Sequence, residues 1–187
     1  MKVQNTKLKD CFVIEPKVFK DNRGYFFESF NQSKFEDLTG QYGNFVQDNQ
    51  SASTYGVVRG LHFQKGEHAQ AKLVRVLEGA VLDVAVDLRE GSETYGQWVS
   101  VMLSGDNNLQ LYVPRGFAHG FSVLSKTAVF AYKCDNNYNK ASEGGLRYND
   151  PDLNIDWGIP EDKMNLSEKD LVLPFLSSCG FKEINAC

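Results

Sequence analysis

From residue 72 onward the chain alternates short apolar runs with turn residues, at the spacing of strands rather than helices. Residues 72–77 and 80–87 are rich in β-branched side chains, and Glu78-Gly79 between them is a turn signal. Residues 98–103 form a third run, 104–108 a polar loop, and 109–113, 121–124 and 128–134 three further runs. Upstream, His62 stands between Leu61 and Phe63, so on a strand it points away from that apolar pair. Helix signals are few. Ser33 and Glu36 have the spacing of a capping box and Gly40 can end the helix. A second short helical turn is expected to begin at Ser167 and end before Pro174. Many short strands with turn punctuation predict an all-β chain, an antiparallel jelly-roll barrel or sandwich with a few short peripheral helices.

The totals narrow the class. A length of 187 residues, 42% hydrophobic and 24% charged, fits one globular domain over residues 1–187. A formal net charge of -4 argues against a general nucleic-acid binder, although a local cluster of cations can still hold one anionic small molecule. No apolar run is long enough to span a bilayer, and polar residues interrupt the first sixteen positions, so no signal peptide is read there. Cys11, Cys134, Cys179 and Cys187 are scattered without a Cys-x-x-Cys pair, which predicts reduced thiols and a cytoplasmic protein.

Three residues carry candidate chemistry. His62, on the polar parity of an apolar strand, suits a general base, although a core histidine satisfied by hydrogen bonds has the same pattern. Arg59 differs from it by an odd step, and Gly60 offers a bulge that would bring both to one face. Lys72 shares parity with Val74 and Val76; a lysine on that face is costly without a partner and would stabilise a developing enolate oxygen. Tyr132, in parity with Ala128, Phe130 and Cys134, is either a core tyrosine or an acid able to return a proton to a carbanion. Base, cation and acid together suit proton abstraction beside a ketone. Gln64 occupies the second position after His62, so a His-x-His metal pair is missing, and His68 and His119 lack ligand spacing; no metal is expected. His119 instead suggests a hydrogen-bond donor to a ligand. Arg23, Arg59, Arg115, Arg147 and Lys169 are candidate phosphate partners, among which the sequence does not choose. No Gly-x-Gly-x-x-Gly, Walker or Gly-x-Ser-x-Gly motif appears, so no dinucleotide cofactor is indicated.

Several separate words in order carry a resemblance over nearly the whole chain. They are the Asp-x-Arg-Gly-x-Phe-x-Glu form at 21–28, Gln-Asp-Asn-Gln-Ser at 47–51, Arg-Gly-Leu-His-Phe-Gln at 59–64, Lys72 with 81–89, and Pro-Arg-Gly-Phe-Ala-His-Gly-Phe at 114–121. Tyr132-Lys133-Cys134 with Tyr138, Glu143-Gly144-Gly145, Asp150-Pro151 and Ile155-Asp156-Trp157 follow. The chain thereby resembles the dTDP-4-dehydrorhamnose 3,5-epimerases, cupin-like sugar-nucleotide enzymes. The resemblance implies a cupin-like jelly roll that converts dTDP-4-dehydro-6-deoxy-D-glucose to dTDP-4-dehydro-L-rhamnose. In it His62 would be the base, Asp170 its partner, Tyr132 the acid on the opposite face and Lys72 the enolate stabiliser. Arg23, Glu28, Gln47, Asn49, Arg59, His119, Glu143 and Lys169 would hold the sugar and diphosphate, and Tyr138 would stack on the thymine. It further implies a homodimer with no metal or organic cofactor, whose amino-terminal words serve the neighbouring subunit. Where relatives often carry Trp-Pro this chain has Trp157-Gly158-Ile159-Pro160, which puts the path to Lys169 and Asp170 in question. Alternatives are a single-centre epimerase or ketoisomerase of the same family, a non-catalytic sugar-nucleotide-binding jelly roll, and a metal-dependent cupin.

Overall fold

A computed structural model describes residues 1–179. Thirteen strands are found among them: β1 (Lys2–Asn5), β2 (Phe12–Glu15), β3 (Phe19–Asp21), β4 (Gly24–Phe26), β5 (Gln47–Thr54), β6 (Val58–Gln64), β7 (Lys72–Glu78), β8 (Ala80–Asp87), β9 (Trp98–Ser104), β10 (Gln110–Val113), β11 (Phe117–Val123), β12 (Thr127–Cys134) and β13 (Glu143–Gly145). A six-stranded sheet runs β1-β2-β10-β7-β12-β5 and a five-stranded sheet β13-β6-β11-β8-β9; β3 and β4 form a separate hairpin. Neighbouring strands in these sheets are antiparallel, and from β5 onward the chain mostly alternates between the two large sheets. This is the jelly roll that the strand pattern predicts.

The inward parities of both sheets supply the main core. Val74, Val76, Leu111, Ala128 and Phe130 from the six-stranded sheet meet Val81, Ala85, Leu103, Phe121 and Val123 from the five-stranded one. Phe121 and Phe130 stack across this interior with ring centroids 4.3 Å apart. Such a pair contributes about 0.5–1.5 kcal/mol beyond its burial. The outer face of the five-stranded sheet, with Val58, Leu61, Phe63 and Val84, is covered by Leu146, Leu153, Trp157 and Ile159 of the carboxy-terminal segment. At one end of the other sheet, Phe35 of the helix α1 (Gln32–Thr39) packs with Ile14, Leu73 and Tyr112.

Two local expectations are revised. The N-cap of α1 is Asn31, whose side chain accepts the Lys34 N–H, so Ser33 lies inside the helix and makes no capping box; the helix does end at Gly40, in the left-handed conformation. Asn accepts that N–H as well as Ser does, and it stands two residues closer to the preceding loop. The strand β11 starts at Phe117, directly after the Gly116 turn, so His119 is a strand residue. The second helix, α2 (Glu168–Leu171), begins at Ser167 as expected, with the Ser167 hydroxyl accepting the Asp170 N–H. Cys11, Cys134 and Cys179 are free thiols; Cys187 lies outside the described residues.

Candidate active site

One end of the space between the sheets stays open as a cleft of about 630 Å³. The strand β6 delivers its side chains there through an irregularity. In the β6–β11 ladder His62 pairs with His119 but Arg59 pairs with Phe121, so β6 spends one residue more than its partner. That extra residue changes the parity, and Arg59 and His62 both line the cleft. Gly60 makes the bulge possible. Its φ is +107°, and a Cβ there would lie 2.6 Å from the His119 carbonyl oxygen and 2.7 Å from the Gly120 Cα. Arg59 is steadied by Ser53, whose hydroxyl accepts from both Nε and Nη2 at 3.2 Å.

His62 is half-buried, and its Nε2 donates to Oδ1 of Asp170 at 2.6 Å. This leaves Nδ1 as the basic nitrogen of the neutral ring. Asp170 arrives from α2, laid across the cleft by reciprocal backbone bonds: Val58 N–H to the Asn165 carbonyl and Asn165 N–H to the Gly56 carbonyl, at 3.0 and 2.8 Å. Burial works to raise the Asp170 carboxyl. The hydrogen bond and charge of His62, with the Ser167 hydroxyl and the Gly60 backbone, outweigh it and hold the group below the usual carboxylate range. The local departure at Gly158 therefore does not displace Asp170.

The facing wall comes from the six-stranded sheet. Tyr132 and Lys72 sit on neighbouring strands β12 and β7, and the Lys72 ammonium lies 5.9 Å from the centre of the Tyr132 ring. Burial pushes the Lys72 ammonium below the ordinary lysine value, with Cys134, Asp83 and Glu143 opposing it. Among the described residues, no carboxylate lies within ion-pairing distance of it. A desolvated cation without a carboxylate is stabilised by whatever negative charge develops in the cleft. Burial likewise raises the Tyr132 phenol, helped by Cys134 and opposed by Arg59, so the group keeps its proton until a strong base such as a carbanion is near.

His119 lines the cleft beside Phe121, with Nε2 already bonded to Asp83. At the mouth, Glu143 bridges Lys169 and the Tyr138 hydroxyl, the latter at 3.0 Å. Burial would raise Glu143, and these two partners hold it low instead. Gln47 accepts the Tyr138 N–H at 2.9 Å and donates to Asn49 at 3.0 Å, which ties the exposed Tyr138 loop to β5. Asn49, Arg59, His119 and Lys169 thus join His62, Lys72, Tyr132 and Asp170 around one cleft, with Gln47, Tyr138 and Glu143 at its rim.

Arg23 and Glu28 do not join them. Arg23 lies on the β3–β4 hairpin, highly exposed and paired with Asp21 at 2.6 Å, and Glu28 accepts from Lys34 at 2.8 Å. Arg115 and Arg147 are also committed elsewhere, to Asp135 and to the Leu173 carbonyl. His68 bonds Asn139, remote in role from the cleft. Among the described residues, no three His, Cys, Asp or Glu side chains gather in a way that would hold a metal ion. Sequence reasoning overlooked Asp83 and Ser53 as site residues. Asp83 carried a signal, an acid in inward parity with Val81 and Ala85; Ser53 carried none.

Comparison with known proteins identifies the family. The family model described as dTDP-4-dehydrorhamnose 3,5-epimerase matches residues 5–178. The chain is 52% identical over 186 residues to the dTDP-4-dehydrorhamnose 3,5-epimerase of Salmonella typhimurium, covering 98% of this chain and 100% of that one. It superposes on the crystal structure of the Elizabethkingia anophelis enzyme of that name with a TM-score of 0.92 and 66% identity, over 95% of this chain and 97% of that one. On the Legionella pneumophila epimerase, crystallised in complex with dTDP-4-keto-L-rhamnose, the TM-score is 0.94 at 48% identity, over 98% and 97% of the two chains. A jelly roll with His62 and Asp170 on one wall, Lys72 and Tyr132 on the other, and matches that run almost end to end place this chain in the dTDP-4-dehydrorhamnose 3,5-epimerase family.

Proposed function

We propose that the chain performs the reaction its family is named for, inverting C3 and C5 of dTDP-4-dehydro-6-deoxy-D-glucose to give dTDP-4-dehydro-L-rhamnose. The observation that carries this is the placement of His62 and Tyr132 on opposite walls of one cleft, with Lys72 beside Tyr132. A ketone at C4 acidifies the protons on C3 and C5. Nδ1 of His62 takes one of them, and the electron pair moves to the C4 oxygen as an enolate. The Lys72 ammonium stabilises that oxygen, and Asp170 stabilises the imidazolium just formed. The enolate collapses back to the ketone as the Tyr132 hydroxyl delivers a proton to the other face of the same carbon. Proton return to Tyr132 and from His62 through solvent resets the site, and the sequence repeats at the second carbon. No electron leaves the substrate, so the scheme needs no redox cofactor, and the cation at the enolate oxygen is Lys72.

In the same reading Asn49, Arg59, His119, Glu143 and Lys169 hold the sugar and diphosphate, Gln47 steadies the rim, and Tyr138 stacks on the base. The chain acts as one domain over 1–187, in a homodimer, in the cytoplasm, without nucleic acid as a partner; the residues after 179 lie outside the described ones. The dimer is supported by the hairpin that carries Arg23, because Phe19, Tyr25 and Phe26 on it are more than half exposed and Arg23 and Glu28 lie away from the cleft of their own chain. No described helix is long and apolar enough to cross a membrane. The experiment is incubation with dTDP-4-keto-6-deoxyglucose in heavy water, followed by NMR. Deuterium at both C3 and C5 with no added metal or nicotinamide is the expected result. Exchange at one carbon alone, or activity lost to a chelator and restored by metal, overturns it.

A further inference from the structure

The carboxylate most deeply enclosed near the cleft has no role in the mechanism above. Asp83 is fully buried on β8, in inward parity with Val81 and Ala85 of the main core. Both of its oxygens lie 3.0 Å from one atom, Nε2 of His119. Among the described residues no other side chain or backbone N–H donates to them. His119 is itself buried, stacks at 6.1 Å on Phe130, and still reaches the cleft. A carboxylate placed in an apolar core at this cost is stabilised only if a donor meets it, and here that donor is one N–H shared by two oxygens. The Nε2 proton is therefore fixed on the Asp83 side. The ring is left one orientation, with its Nδ1 edge available to a ligand.

Resting on the functional reading above, we propose that Asp83 is a positioning residue for the reaction, acting through His119. It fixes the Nε2–H form and the orientation of that ring, so that His119 meets the sugar nucleotide in one protonation pattern. His62 and Asp170 use the same device on the adjacent strand, and the two histidines are direct register partners. The cleft thus holds two oriented imidazoles, one able to take a proton and one held as a fixed polar contact.

Two measurements test this. In wild-type protein with ¹⁵N-labelled histidine and no substrate, His119 Nε2 is expected to carry a proton; an unprotonated Nε2 overturns the proposal. This readout uses the wild-type chain and stands whether or not any variant folds. The second is a kinetic cycle with Asp83→Asn, His119→Gln and the double variant. Asp83→Asn, nearly isosteric, is expected to raise KM about 10-fold, the scale of misplacing one hydrogen bond that holds the sugar nucleotide, with kcat little changed. In the His119→Gln background the same substitution is expected to cost nothing more, because its route is already gone. Equal losses in both backgrounds, or a wild-type KM for folded Asp83→Asn, overturn it. A protonated Nε2 in a protein that exchanges no substrate protons would count against the functional reading alone.

Discussion

Replacing Asp170 with Asn tests the His62 pair with little change in shape. The carboxylate is almost wholly buried and accepts from His62 at 2.6 Å, and the Ser167 side chain and Gly60 backbone help to stabilise its charge. Asn keeps an oxygen toward Nε2 and removes the charge. A hydrogen bond to a charged partner is worth about 1.5–3 kcal/mol. In the mechanism that worth is realised when His62 becomes an imidazolium, which is after proton abstraction and not in the resting enzyme. The loss therefore falls on kcat, roughly 10- to 150-fold, with KM near wild type. Steady-state kinetics coupled to NMR of C3 and C5 deuteration reads both. Stability supplies a second arm. The Asp170 carboxyl is held below its unfolded value, so its contribution is present above the unfolded carboxylate pKa of about 3.9 and is lost as pH falls through the lower folded value. Wild type is expected to exceed Asp170→Asn in urea stability at pH 7, and the gap should close below about pH 4. A variant with wild-type kcat, or one whose loss appears entirely in KM, refutes the assignment of Asp170 as the partner of the base.

The other residues of the site give sharper contrasts. His62→Asn should abolish exchange at both carbons while calorimetry with dTDP shows binding close to wild type; measurable turnover would mean another base. Tyr132→Phe keeps the ring and removes only the hydroxyl, so deuterium should enter with retained configuration faster than inverted product forms, and full inversion at the wild-type rate would remove Tyr132 as the acid. Lys72→Met keeps the apolar stem of a desolvated cation and should lower kcat by about 10²–10³-fold with the fold intact by circular dichroism; a loss under tenfold would place the enolate oxygen elsewhere. Gly60→Ala puts a side chain at φ +107° against the backbone of β11 and should cost about 1–3 kcal/mol or more in thermal unfolding, together with activity; an unchanged melting temperature would contradict the close approach of the two strands.

The strands from β7 to β12 were legible because their apolar residues recur at period two and turns fall between them. The strand β5 was not. Its sequence Gln-Asp-Asn-Gln-Ser-Ala-Ser-Thr contains no large apolar side chain, and it is extended because all eight residues pair with β12, a contact that no local pattern encodes. His62, Lys72 and Tyr132 announced themselves as polar groups on apolar parities. The bulge that carries Arg59 to the same cleft was readable from Gly60 and the odd spacing. The proximity of Asp170 was not readable from residue properties, because it depends on how the segment after Ile159 crosses the cleft; only the family resemblance pointed to it. Arg23 and Glu28 show the converse, since a matching motif pointed to them while the fold leaves both in exposed local ion pairs away from the cleft.

The segment that carries Asp170 also ties the candidate site to the core. The strand β13 is the last in sequence of the five-stranded sheet and ends at Gly145, whereas the carboxylate that meets His62 comes on α2, well after it. The same segment covers the apolar outer face of that sheet, so the docking that buries Trp157 and Leu153 is also what brings Asp170 to His62.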